Sequence, residues 1–199
     1  VRGAWVLGAF ATCLAMWWVA GLTDVGGALP VLVVPTVLLA LGTAGYTAFL
    51  FGQCEGRDLW QESLLLPMLL AQAVMAGGAS WSLLDQFLDV PSHGSVKWVF
   101  LTGLVANAAL VGLEGRGRHS RHVTMAIADL RHGAQRKRWR EWLFCTAFSL
   151  LFLGLDIVFG EIVFDWTGPV QPIVPLAALY GLFAYEDAYV RAGQSVPLS

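Results

Sequence analysis

The chain has 199 residues, of which 57% are hydrophobic and only 13% charged, with 9 Trp and 22 Gly. Soluble domains carry about a quarter charged residues, so this composition excludes an ordinary soluble enzyme and predicts an all-α, polytopic transmembrane helical bundle. The formal net charge of −2 carries little weight, because charge in a membrane protein is sorted by loop rather than averaged.

About six apolar segments are long enough to cross a hydrocarbon core of about 30 Å at about 20 residues each. In chain order they are predicted at 4–22, 29–52, 63–87, 96–114, 141–161 and 169–189. The first follows Arg2. It imitates a signal peptide but lacks a polar, small-residue cleavage site, so it is read as a span. The chain begins with Val1, which leaves room for preceding residues. The second carries Pro30 and Pro35 near its start, the third Pro67, and the sixth Pro169, Pro172 and Pro175, in first turns where proline is tolerated or kinks the helix. Most connections are short, so one bundle without a second domain is expected. The exception is 115–140, where Val123, Ile127 and Leu130 recur at near-helical spacing among basic residues. That pattern predicts an amphipathic helix lying on the membrane surface.

Charge fixes the expected sidedness. Arg116, Arg118, Arg121, Arg131, Arg136, Lys137, Arg138 and Arg140 crowd 115–140, and Arg2, Arg57 and Arg191 fall on the same side once the spans are counted. Lys97 alone falls on the other, together with the acidic Asp24, Asp85, Asp89, Glu161 and Asp165. Lys and Arg mark cytoplasmic loops, which puts both ends of this chain and 115–140 in the cytoplasm. Topology suffices to explain the basic stretch, and no nucleic-acid partner is expected. A docking surface for a partner or for anionic lipid is the second reading of the same residues.

The reactive residues narrow the chemistry. Cys13, Cys54 and Cys145 are scattered, without a C-x-x-C pair, so no iron–sulfur cluster or Cys-rich zinc site is expected from this chain. His93, His119, His122 and His132 are all predicted in loops. A haem held inside a bundle takes its axial ligands from the helices, so none is expected. There is no Walker motif, nucleophile elbow or zinc-protease motif.

Polar residues at membrane depth are few: Gln72, Asn107, Glu114, Asp156, Glu186 and Asp187. An ionisable group inside a span is costly and therefore a functional candidate. Asp156 lies beside Leu155, Ile157 and Val158, where burial penalises its charged form unless a cation reaches it. It is read either as a proton-exchanging group or as a helix-packing carboxyl. Glu186 and Asp187 approach the interface, where charge is cheaper.

The most distinctive stretch is GYTAFLFGQCEGRDLWQESLLLP, from Gly45 to Pro67, with Tyr46, Gln53, Glu55, Arg57, Asp58 and Trp60 around the turn between the second and third spans. By itself it is a polar turn with an interfacial Trp. The wording, however, resembles the signature of the NrfD-like family, the membrane subunits of polysulfide reductase and related molybdopterin oxidoreductases. The final stretch from Glu186 to Ser199, ending AGQSVPLS, resembles that family's closing segment, and Arg2-Gly3-Ala4-Trp5 resembles the start of its third helix. Members commonly have eight or more spans, so the resemblance covers this chain but lacks two initial helices. Either the chain is a fragment or another membrane subunit supplies that wall.

The resemblance implies a haem-free membrane subunit of a respiratory oxidoreductase in a prokaryotic inner membrane. Such a subunit anchors a four-cluster iron–sulfur protein and a molybdopterin or tungstopterin catalytic subunit, and exchanges electrons and protons with menaquinone or ubiquinone. Under it, Tyr46 and Gln53 are candidates for a hydrogen bond to a quinone carbonyl, and Arg57 and Asp58 form a charge pair at the turn. Asp156 and Glu186 are candidate proton relays. A secondary transporter and a purely structural scaffold remain alternatives; the absence of half-to-half symmetry counts against the first.

Overall fold

A computed structural model describes residues 2–23, 29–85, 87–88, 93–117, 119–159 and 172–196. The acidic Asp24, Asp89, Glu161 and Asp165, with Pro169 and residues 197–199, lie outside the described residues. The described chain is helical: α1 Arg2–Leu22, α2 Leu29–Gly52, a single 3-10 turn Asp58–Gln61, α3 Leu65–Leu84, α4 His93–Glu114, α5 Arg121–His132, α6 Arg136–Phe159 and α7 Ile173–Ser195. No strand occurs among the described residues. Five helices, α1, α2, α3, α4 and α6, are long and apolar enough to cross a membrane. The sixth expected span falls on α7, a 23-residue helix whose second half carries Glu186, Asp187 and Arg191.

The contacts divide the chain into two compact units, Val1–Gln53 and Cys54–Ser199. The first is an antiparallel pair, α1 and α2. Val6 packs near Gly42, the Tyr46 ring lies against Gly3, and the Trp17 indole N–H donates to Thr36 Oγ1 at 2.9 Å. Only 6% of each helix's apolar window is buried. Trp5, Trp18, Val31 and Leu38 face outward, an apolar surface that suits hydrocarbon and not water.

The second unit is a ring of four helices. Antiparallel α3 and α4 form one pair and antiparallel α6 and α7 the other; α4 meets α6 and α7 meets α3 to close it. The first pair approaches closely because two glycines face backbone. A Cβ on Gly78 would stand 2.6 Å from the Phe100 Cα, and one on Gly103 would stand 2.7 Å from the Met75 Cα. Small residues that let helix backbones touch are the usual glue between membrane helices, where apolar burial gives no drive. Met75, Ala79, Phe100, Leu104, Leu153, Val174 and Ala178 form the apolar core of the ring.

Two expectations need correction. The amphipathic helix exists as α5, but Val123, Ala126 and Leu130 are buried at 1% exposure each, against α7, α6 and the 3-10 turn. Its apolar face caps the protein bundle and does not lie on lipid. The four histidines are not all in loops either: His93 opens α4, and His122 and His132 sit on α5. α6 also starts within the predicted basic loop. No breaker follows Gly133, and Arg, Lys, Trp and Glu extend a helix readily.

Candidate functional site: a buried carboxylate at the basic end of the second unit

Within the second unit, charge is sorted by end. Arg57, Arg191 and the residues of α5 gather at one end, since Ser195 Oγ on α7 donates to Asp129 Oδ2 on α5 at 3.1 Å. Lys97 is at the other, where its ammonium lies 2.7 Å from Asp156 Oδ2.

The basic end is organised by the turn before α3. Gly56 takes a positive φ of 83°, open to glycine without steric cost, and the chain then enters the 3-10 turn. Arg57 Nη1 reaches the C-terminus of α7 and donates to the carbonyls of Gly193, Gln194 and Val196 at 2.9, 3.0 and 2.8 Å. These carbonyls have no intrahelical partner and sit at the negative end of the helix dipole, so one cation satisfies both needs. The buried Trp60 indole lies against Gly193, where a Cβ would collide with it. Tyr189 donates to the Leu59 carbonyl at 2.9 Å. Asp58 accepts from Ser120 Oγ at 2.6 Å and stands 3.6 Å from His122 Nδ1. Ser120 in turn caps α5 by accepting from the Val123 N–H. Parts of the two stretches singled out in the sequence, 57–60 and 189–196, therefore meet through Arg57, Trp60 and Tyr189.

Behind this knot is a buried acidic group. Glu114, at the end of α4, is 2% exposed and accepts from the Tyr185 hydroxyl at 3.3 Å. Tyr185 is 1% exposed and stacks among Trp142, Tyr189 and Trp139, with ring centroids 5.4, 5.7 and 6.4 Å away. Arg131 from α5 lies 5.0 Å from the centre of the Trp139 ring. His119 bridges to the surface: its Nε2 meets the Glu114 carbonyl and its Nδ1 lies 3.2 Å from Glu62 Oε1. Exposure rises along that path, from 2% at Glu114 to 9% at His119 and 22% at Glu62. Burial lowers the His119 pKa, but the Glu114 carbonyl and the Glu62 carboxylate together outweigh it and raise the value. Two acceptors flanking one ring ask for two N–H donors, which is the imidazolium form.

Deeper along α4, Asn107 is fully buried two turns from Glu114 on the same face. The α3–α4 register set by Gly78–Phe100 and Gly103–Met75 brings Gln72 level with it. Both Asn107 amide atoms, Gln72 Oε1, Glu114 Oε1 and Trp142 Nε1 lack a hydrogen-bond partner among the described residues. Buried polar atoms rarely go unpaired, so these positions can take further polar partners.

The residues expected from sequence divide between the units. Tyr46 and Gln53 belong to the first: Tyr46 is half-buried on α2 and Gln53, exposed, follows its last turn. Arg57 and Asp58 belong to the second, each engaged by partners from α7 or α5. Glu186 is half-buried on α7 beside Tyr185. Asp156 is far from these, at 9% exposure, and a cation does reach it. It lines a cavity of about 50 Å³ with Lys97, Asp85 and Ser82, room for a water or two and too small for a quinone ring. Sequence reasoning named Gln72, Asn107 and Glu114 as polar residues at depth but did not join them to Tyr185, Tyr189, His119 and Glu62. The spacing of Tyr185 and Tyr189, one helical turn apart on the face that α7 turns inward, was the available signal.

Comparison with protein-family models, curated proteins and solved structures found nothing that matches this chain.

Proposed function

We propose that this chain is a haem-free, quinone-reactive membrane subunit of a prokaryotic respiratory oxidoreductase, with 115–140 facing the cytoplasm and docking an iron–sulfur partner that leads to a molybdopterin or tungstopterin catalytic subunit. The observation that carries the reading is the buried Glu114–Tyr185–Trp142 group directly behind the Arg57 clamp. That clamp joins residues from two of the three segments that resemble the NrfD-like family, Arg57 of one and Gly193, Gln194 and Val196 of the other. A buried carboxylate and a buried amide with atoms unpaired among the described residues favour a polar role over a purely structural one.

The donor set suits a quinone. Its carbonyl oxygens need donors and its ring needs apolar or aromatic walls. The Trp142 N–H, without a partner among the described residues, supplies a donor, and the rings of Trp139, Trp142 and Tyr185 supply walls; the Tyr185 and Tyr189 hydroxyls already donate to Glu114 and to the Leu59 carbonyl. The family resemblance also assigns Tyr46 and Gln53, both in the first unit, to a hydrogen bond with a quinone carbonyl. When bound, the quinone supplies the two-electron, two-proton chemistry. The chain's own residues bind, orient and exchange protons. Glu114 holds a proton at depth, while His119, bonded to the Glu114 backbone carbonyl and to Glu62, ties the end of α4 to the surface. Asp156, paired with Lys97 and remote from this group, is assigned to helix packing.

Organic extraction of the purified complex tests the binding, and Glu114→Gln tests the role. About one quinone per chain is expected. Quinol-dependent turnover should fall about a hundredfold in the variant, the scale of a lost acid–base group, with its iron–sulfur and catalytic subunits still co-purifying. A complex that yields no quinone and keeps full turnover in Glu114→Gln would sink the proposal.

A further inference from the structure

We infer that the N-terminal turns of α6 hold one anionic glycerophospholipid, its phosphate on Arg136 and Arg140 and an acyl chain along the aromatic face below them. A groove of about 830 Å³ opens there, lined by Arg136, Lys137, Arg140, Phe144 and Tyr180 among others. Its charge is unbalanced. The one acid in the groove, Glu141, is already shared by Arg138 at 3.1 Å, Tyr180 at 3.1 Å and Lys137 at 4.0 Å, and Arg138 also takes Asp187 at 3.3 Å. Arg136 and Arg140, one turn apart and exposed, have no carboxylate within ion-pair distance among the described residues. Two unengaged guanidiniums on one side of a helix match a phosphodiester, which offers paired acceptor oxygens.

The apolar half of the site is continuous with the charged half. Phe144 is 72% exposed and begins a ladder down α6, Phe144–Phe148–Phe152, with successive ring centroids 6.3 and 4.4 Å apart. α6 is itself long and apolar enough to cross a membrane, so its charged first turns fall at headgroup level and its ladder at acyl level. A free phosphate ion would use only the arginines. An acidic peptide on the surface would not reach down the ladder. A phospholipid uses both. This inference does not depend on the quinone reading.

Native mass spectrometry of the full chain in detergent, titrated with phosphatidylglycerol or phosphatidylcholine, tests it. One phosphatidylglycerol should be retained in preference to phosphatidylcholine. Arg136→Gln with Arg140→Gln should weaken that retention about thirtyfold, the effect of two basic groups near an anionic headgroup. Arg116→Gln with Arg121→Gln removes the same charge from the same region and should change it less than about threefold. Phe144→Ser should weaken it as well, and millimolar inorganic phosphate should not displace the lipid. Equal losses in the two double variants, or equal retention of the two lipids, would overturn the inference. Displacement by phosphate without any effect of Phe144→Ser would reduce the groove to a simple anion site. Displacement by a poly-glutamate peptide, with the two lipids equal, would make it a protein-docking surface instead.

Discussion

Lys97 and Asp156 show how one residue changes the meaning of another. Asp156 is 9% exposed and Lys97 40% exposed, so the two ends of the pair are unequal. Lys97→Met strands a carboxylate that cannot reach water and should cost about 3 kcal/mol, because a buried charge loses its partner. Asp156→Leu leaves an ammonium that turns to solvent and should cost about 1 kcal/mol. Chemical unfolding in mixed micelles measures both. Equal losses, or no loss in Lys97→Met, would show that the pair does not bear on packing. The second residue-scale prediction concerns His119, whose pKa is raised above its ordinary 6.5. A group raised on folding stabilises the native state fully below its unfolded value and loses that contribution as pH rises through the folded one. Stability should therefore fall from pH 6 toward pH 9, and His119→Gln should flatten the decline. A slope unchanged by His119→Gln would assign it to other groups. Single positions of this kind were partly legible in the sequence. Asn107 and Glu114 stood out because polarity inside an apolar run is conspicuous. Lys97 stood out as the lone cation on its side, but its pairing with Asp156 did not, because the two come from different helices at no fixed spacing.

At the scale of elements, helix positions were read well because apolar runs of membrane length have few other ways to satisfy their backbone. α2 falls at Leu29–Gly52, where the pattern placed it. Helix ends were read less well wherever charge entered the helix. α6 begins at Arg136, since long basic side chains reach the interface while their backbone remains helical. The docking of α5 was hidden for a different reason. Amphipathic periodicity shows that a helix has a face to bury but not whether lipid or protein covers it, and here α7 and the 3-10 turn do. The joint between that turn and α7 rests on Arg57, whose single Nη1 makes three bonds to carbonyls. Arg57→Ala should lose about 2–4 kcal/mol, as expected for hydrogen bonds to a charged donor at an otherwise unpaired helix end. Arg57→Lys should recover part of this, because an ammonium offers three N–H donors where Nη1 shares two among the three carbonyls. Thermal unfolding of the two variants, with protease sensitivity of the 186–199 segment, checks the ordering. If Arg57→Lys is no better than Arg57→Ala, the planar fork and not the point of charge is what α7 requires.

For the whole molecule, the strongest regularity is that sequence charge and three-dimensional charge agree within the second unit. The basic residues of α5, Arg57 and Arg191 lie at one end of the helical ring, and Lys97 lies at the other, bound to an acid. Lys and Arg are held on the cytoplasmic side during insertion, so the end with α5 should face the cytoplasm. The buried Glu114 group would then lie at the cytoplasmic end, the side on which the proposed iron–sulfur partner would dock. Native cysteines make the test direct. Cys54 is exposed and Cys145 buried, and Cys54 begins the turn that α5 covers. A membrane-impermeant maleimide should label Cys54 in inside-out vesicles but not in intact cells. In a Cys54→Ser background, Leu88→Cys, at a position 58% exposed near the opposite end, should give the reverse pattern. Cys13 is only partly exposed, and Cys13→Ser removes it as a background signal. Labelling of Cys54 from outside intact cells would invert the second unit. It would also place Arg57, His119 and Glu62 on the far side of the membrane, away from the side on which the proposed partner would dock.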